Sequence, residues 1–284
     1  MKKTLVMALA LTLTVAFAGC GNATDNNTNN ETTSATTEST VAESTVEDTT
    51  EATDDAETTP ADSAEDVKSE GVMTYAEYVA ADLDTEVTVE TYVQAKQSWW
   101  DNKATVYTQD HDGGYFLYNM ACSEEDYAKL EKGTKIKVTG FKSEWSGEVE
   151  IIDATFEIED GSYVAEPVDV TADLASDDLI NYQNQFVSFK GMTVEAAGQD
   201  DAGNDVAFLY NWDGSGTDGD DLYFTVSKDG ASYSFTVESY LCDKDSDVYA
   251  AVKNLSIGDV IDLEGFLYWY EGVNPHITSV TAAN

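Results

Sequence analysis

Two stretches of the chain repeat one another at a constant spacing, and any fold has to accommodate that duplication. Gly133-Thr-Lys-Ile136-Lys-Val138-Thr-Gly140-Phe141 matches Gly258-Asp-Val-Ile261-Asp-Leu263-Glu-Gly265-Phe266 at an offset of 125. In the same register Trp145 falls opposite Tyr270, Gly147 opposite Gly272 and Ile152 opposite Ile277. Upstream, YFLYNMAC ending at Cys122 parallels FTVESYLC ending at Cys242, each followed by an acidic stretch of helical character. Val87-Thr-Val89 corresponds to Val187-Ser-Phe189 at an offset of 100, so the second copy carries about 25 extra residues, between Ala197 and Gly230. Agreement over several elements marks a duplicated structural unit.

Each copy has the same local grammar. In the first, alternating apolar residues predict a long strand from Val87 to about Lys96. A second strand, Ala104–Gln109, turns at Asp112-Gly113-Gly114 into a third, Tyr115–Met120, which is a hairpin signal. Ser123-Glu-Glu-Asp126 has the form of a helix start for Glu124–Leu130, and Gly133 stops that helix. Strands at Lys135–Phe141 and Val149–Ile158 follow, joined by a turn around Trp145-Ser-Gly147. Thr74-Tyr-Ala-Glu77 reads as a capping box opening a short helix to Leu83, placed to plug one barrel end. Three strands, a helix and two strands resemble an OB-fold, a five-stranded Greek-key barrel. The expectation is therefore a mainly β chain with two OB-fold-like barrels, residues 71–165 and 166–284, each with a helix between strands 3 and 4. A pair of β-sandwiches is the structural rival, and the helix at the same place in both copies speaks against it.

The N-terminal 70 residues are of another kind. Met1-Lys2-Lys3 precedes an apolar run of 14 residues, Leu5–Ala18, and then Gly19-Cys20. A membrane-spanning helix needs about 20 apolar residues, whereas a short positive region, a brief apolar stretch and a small-residue junction make an export signal. Phe17-Ala18-Gly19-Cys20 resembles a bacterial lipobox. The resemblance implies cleavage after residue 19, a diacylglyceryl group on the Cys20 sulfur and, often, an acyl group on its amine. The expected place is the extracytoplasmic face of the cell membrane, held by the lipid; two or three acyl chains anchor stably where one does not. From Gly21 to Glu70 there are 14 acids, one Lys, no aromatic residue and no Leu or Ile. Such a stretch cannot bury enough apolar surface to fold, so residues 20–70 are expected to form a disordered stalk with a reach of about 40 Å. With its barrels, the whole chain resembles the tandem OB-type lipoproteins of Gram-positive gut bacteria.

From Gly71 to Asn284 there are 41 acids against 11 lysines, a net charge of −30, and no arginine occurs anywhere in the chain. Phosphate recognition usually relies on the arginine fork, and a single-stranded nucleic-acid groove is electropositive. Nucleic acid is therefore disfavoured. Lys96, Lys103, Lys135, Lys137 and Lys142 cluster in the first unit and leave weak anion contact there open.

OB-folds that bind ligands use the face of strands 2 and 3 with the loops joining strands 1–2 and 4–5. In the first unit those loops hold Trp99, Trp100 and Trp145; in the second, the loop between strands 4 and 5 holds Tyr268, Trp269 and Tyr270. Large aromatics in polar turns mark contact sites when exposed, though rings at barrel ends also fill cores and interfaces. Stacking on sugar rings makes a glycan or cell-wall component the expected ligand, and a basic peptide fits the charge as well. A structural or adhesive lipoprotein that contacts another envelope protein is the rival reading. Asp213, Asp218, Asp220 and Asp221 in the insert could serve Ca2+, although their spacing is not that of an EF-hand and a flexible acidic loop is the favoured explanation. Cys122 and Cys242 are expected as unpaired thiols, because a bridge needs Cα atoms within about 7 Å. Of the two histidines, His111 lies in a tight turn and His276 at a strand start, neither near a nucleophile motif or in a metal spacing, so no enzyme is expected.

Overall fold

The computed structural model describes residues 68–283. The signal segment 1–19, Cys20 and the stalk up to residue 67 lie outside the described residues. Among the described residues no helix is long and apolar enough to cross a membrane.

The first copy forms β1 (Glu86–Lys96), β2 (Lys103–Gln109), β3 (Gly114–Ala121), α2 (Glu124–Lys129), β4 (Thr134–Trp145) and β5 (Glu148–Ser162), after α1 (Tyr75–Ala80). Its strands close in the order β1-β2-β3-β5-β4, with β3 and β5 parallel. In the second copy, β6 (Phe186–Glu195), β7 (Leu222–Lys228), β8 (Ala231–Val237), α3 (Asp247–Lys253), β9 (Val260–Phe266) and β10 (His276–Ala282) repeat the plan. Pairings β6–β7, β7–β8, β8–β10, β10–β9 and β9–β6 close a second ring of five. The protein is a pair of OB-fold-like barrels. The 25-residue excess lies between β6 and β7, as a short hairpin pairing Gly198–Gln199 with Asp205–Val206, an edge strand Phe208–Tyr210, and a loop to Asp221.

Duplication extends to the register. Val87 pairs with Gly140 and Val89 with Val138, while Val187 pairs with Gly265 and Phe189 with Leu263. Both copies bulge at the same repeat position, after Thr139 and after Glu264. An added residue bends its strand and raises the twist that closure needs. The glycines at that bend have no room for a side chain: a Cβ on Gly140 would lie 2.8 Å from Ile151 Cγ2, and one on Gly265 would lie 2.2 Å from the His276 carbonyl oxygen.

Each barrel encloses its own core, built on Val89, Val106, Leu117, Ile136 and Ile151 in the first and on Phe189, Phe224, Phe235, Leu263 and Ile277 in the second. Helix α1 is capped as its sequence predicts, Thr74 Oγ1 accepting from Glu77 N, but ends at Ala80, short of Leu83, because Ala81 turns extended; Lys142 Nζ satisfies the end by donating to the carbonyls of Tyr78, Val79 and Ala81. Its Tyr78 is buried in the first core against Tyr115, 4.9 Å between ring centroids, so the helix does plug that end. The stalk boundary moves. Lys68, expected in the stalk, donates to Asp110 Oδ2 at 2.7 Å and to the Glu90 carbonyl. Asp110 is fully buried and also accepts from Tyr115 OH and from the Asp112 and Gly113 amides, so the barrel begins by residue 68.

A seam joins the barrels. Tyr107 of β2 stacks on Phe266 of β9 (4.6 Å), Phe116 of β3 meets Tyr268 edge-on (5.4 Å), and Tyr107 OH shares a 2.6 Å hydrogen bond with His276 Nδ1. The connection between barrels takes part: Gln183 Nε2 donates to the Gly147 carbonyl and Asn184 Nδ2 to the Val149 carbonyl, while Gln109 Oε1 accepts from Phe186 N. Gly114 sits under this connection, where a Cβ would lie 2.3 Å from the Asn184 carbonyl carbon. Gly114→Ala is expected to cost about 1–3 kcal/mol, the usual penalty of overpacking. An unchanged urea midpoint would show that the seam yields there.

Candidate functional site

The loops at the mouths of both barrels meet over the seam and enclose one groove of about 1030 Å³. Six aromatic residues that are 45–76% exposed line it: Trp100, Tyr118, Trp145, Trp212, Tyr240 and Tyr270. Trp100 comes from the β1–β2 loop, Trp145 from the end of β4 and Tyr118 from β3; Trp212 comes from the β6–β7 insert, Tyr240 from the turn after β8 and Tyr270 from the β9–β10 loop. Trp145 and Tyr270, equivalent in the repeat, touch across the seam with centroids 5.1 Å apart. A second hollow of about 240 Å³ shares Trp212, Tyr223, Tyr270 and Asn274 with the groove and continues it over the second barrel.

Local folding explains the ring positions. Ser146 and Gly147, both with positive φ, make a two-residue hairpin turn, so β4 runs as far as Trp145 and Trp145 pairs with Glu148. That turn is clamped to the second barrel, Glu271 N donating to the Ser146 carbonyl at 2.7 Å. Ser98 N likewise donates to the Tyr240 carbonyl at 2.8 Å, binding the loop of Trp100 to the turn of Tyr240.

Of the aromatics picked out from sequence, Trp100, Trp145, Tyr268 and Tyr270 come together in the groove. Trp99 and Trp269 do not line it. Trp99 donates its indole N–H to the Cys122 carbonyl at 2.9 Å, and Trp269 packs against the second core and over Gly147. Sequence reasoning missed Tyr118, Trp212 and Tyr240. Trp212 carried the same signal as the others, a large ring in a polar turn, but stood in a stretch read as an acidic loop.

The polar lining is acidic. Asp221, Glu238 and Glu271 contribute carboxylates, Asn119, Asn274 and Gln97 amides, and among the described residues no lysine lines the groove. Lys103 stands over the Trp100 ring, 5.8 Å from its centroid. Burial, then the charge of Asp221, pushes Glu238 up to about 7. His276 is buried, which pushes it down to about 3 and keeps it neutral at physiological pH. Three lysines of the first-unit cluster are engaged within the barrel: Lys96 donates to the Tyr127 carbonyl, Lys135 pairs with Glu90 and Glu159, and Lys142 caps α1.

Among the described residues no three acid, His or Cys side chains gather as a cation site. The four aspartates considered for calcium each accept a hydrogen bond: Asp213 from Ser215 N, Asp218 from Tyr210 and Lys253, Asp220 from Thr217 N, and Asp221 from Ser239. Asp/Gly-rich loops satisfy their own backbone this way. Cys122, buried, and Cys242, half-buried, are both unpaired.

No family model matches the chain, and no curated protein matches it. Among solved structures it is similar to the Ifi202 HINa domain in complex with 20bp dsDNA, at 11% identity over 71% of this chain and 97% of that one, TM-score 0.32. It is similar to the tetrameric p202 HIN2, at 9% identity over 72% and 96%, TM-score 0.30. A Replication Protein A heterotrimer bound to ssDNA matches at 12% over 70% of this chain and 49% of that one, TM-score 0.28. At these scores the likenesses carry no argument about what this chain binds.

Beneath the groove, Glu148 ties the turn of the first barrel to the second. It is fully buried and accepts from Trp269 N at 2.9 Å and from Gln183 Nε2 at 3.2 Å. Burial, opposed by the Trp269 amide, pushes its carboxyl up to about 8 from 4.5. Between those values the folded state holds a proton that the unfolded chain has released. The stability this group contributes is therefore complete below about pH 4.5 and lost as pH rises through about 8. Glu148→Gln is expected to remove that slope, at most about 1.4 kcal/mol per pH unit, so that the variant gains on the wild type between pH 5 and 8 in denaturant melts. Parallel stability–pH curves for the two would contradict it.

Proposed function

We propose that this protein is a lipid-anchored, extracytoplasmic binding module that recognises a glycan or cell-wall component in the groove between its barrels. The observation that supports this most is the gathering of exposed rings from both barrels in a single acidic, lysine-free groove. Ring faces stack on sugars, and the neighbouring amides and carboxylates accept and donate to hydroxyls. A groove of about 1030 Å³ lies at the top of the range for small-ligand pockets and has room for an oligosaccharide. Polyphosphates are disfavoured by the three lining carboxylates and by the −30 charge of the folded part. The reading is one of binding without turnover, and the Cys20 lipid with its acidic stalk would present the groove away from the bilayer.

Calorimetric titration of the full chain with soluble glycan and wall-fragment oligosaccharides is expected to show binding that leaves the oligosaccharides intact. Trp145→Ala or Trp212→Ala should weaken it at least tenfold, about 1.4 kcal/mol. Silence towards every fragment, cleavage of the oligosaccharides, or affinity for single-stranded DNA at low salt would each overturn the reading. The anchor has its own test: incorporation of labelled palmitate in bacterial cells should vanish in Cys20→Ala, and persistence of the label would refute it.

A further inference from the structure

The register of β7 with β8 pairs Leu222 with Val237, which places Asp221 and Glu238 opposite one another just beyond the end of the ladder. Directly opposed residues of an antiparallel pair hold their Cβ atoms about 4.5–5.5 Å apart, and like charges there are destabilising. Both residues line the groove. Their carboxylates are held in place by the chain: Asp221 Oδ1 accepts from Ser239 N (2.8 Å) and Ser239 Oγ (2.6 Å). Glu238 accepts from Leu241 N (2.8 Å) and Tyr240 N (3.3 Å). No lysine or arginine among the lining residues compensates the pair, and Glu271 adds a third carboxylate. Around them stand Tyr223, Tyr240, Tyr268 and Tyr270, whose faces attract cations as well as sugar rings.

We propose that the groove selects an amino sugar with a free ammonium group, the carboxylates of Asp221 and Glu238 receiving the ammonium while the neighbouring rings stack on the sugar. This rests on the glycan reading above and narrows it to unacetylated, cationic glycans. Two opposed carboxylates in a half-dry groove need a positive charge between them. Burial first, and the charge of Asp221 second, push Glu238 up to about 7. An N-acetylated sugar offers the same ring but replaces the ammonium with a neutral amide. A cationic peptide offers the charge without the ring faces.

The test compares two hexasaccharides of one backbone, the fully N-acetylated glucosamine hexamer and its fully deacetylated form, with hexalysine as a charge control. Each is titrated into the full chain at pH 6, where the sugar amines are protonated. The deacetylated hexamer is expected to bind at least tenfold tighter than the acetylated one. In Glu238→Gln that ratio should fall below threefold, and Asp221→Asn serves the same purpose if the first variant melts early. Equal binding of the two hexamers overturns this inference and leaves the glycan reading standing; binding of neither overturns both. Hexalysine binding as tightly as the deacetylated hexamer overturns the sugar's part, and a ratio that survives both substitutions overturns the assignment to these two carboxylates.

Discussion

The seam between the barrels is the contact on which the site depends. An OB barrel presents its binding loops at one mouth, so two barrels on a loose tether would offer two small, independent mouths. Here the stack of Tyr107 on Phe266 and the bond from Tyr107 to His276 set the barrels face to face. Backbone hydrogen bonds from the turn at Ser146 and the loop at Ser98 then lock the rims together. Burial of these rings and the exclusion of water around a neutral histidine make the seam a small core in its own right, and Tyr107 and Phe266 are nearly fully buried in it.

The seam also sets the electrostatics of the groove floor. Glu148 and Glu238 come from different barrels, and both are pushed upward chiefly by burial. Glu148 owes its cover to the other half, since Trp269 and Gln183 of the second barrel and its connection close over it. In a folded part with a net charge of −30, Glu148 is thus held mostly protonated at neutral pH where the two halves press together.

Much of the fold was legible because duplication writes the same alternation twice. The strand pattern around Ile136 and Val138, repeated at Ile261 and Leu263, located the equivalent strands β4 and β9, whereas their shared bulge emerged only from the register. The caps at Thr74 and Ser123 are local hydrogen bonds between near neighbours, so the sequence displays them directly. The site was half legible. Ring-bearing turns could be recognised, but whether a ring faces the groove or the core depends on contacts far along the chain. Trp99 turned to the Cys122 carbonyl and Trp269 to the second core for that reason. Lys68 looked like stalk because a single lysine reaching a buried aspartate leaves no periodic trace. The opposition of Asp221 and Glu238 was hidden until strand register was known.

Phe141 and Phe266 occupy the same position in the repeat, yet Phe266 is buried in the seam and Phe141 is 41% exposed. At this position, therefore, the two barrels bring unlike surfaces to the seam. A groove built this way has distinguishable ends. A saccharide chain is itself directional, so on the glycan reading proposed above a ligand lying across this groove would present its reducing end to one barrel and its non-reducing end to the other. Reversing it would then bring each sugar against different residues. On that reading the unlike halves of the groove would let it sense a polymer's direction as well as its composition.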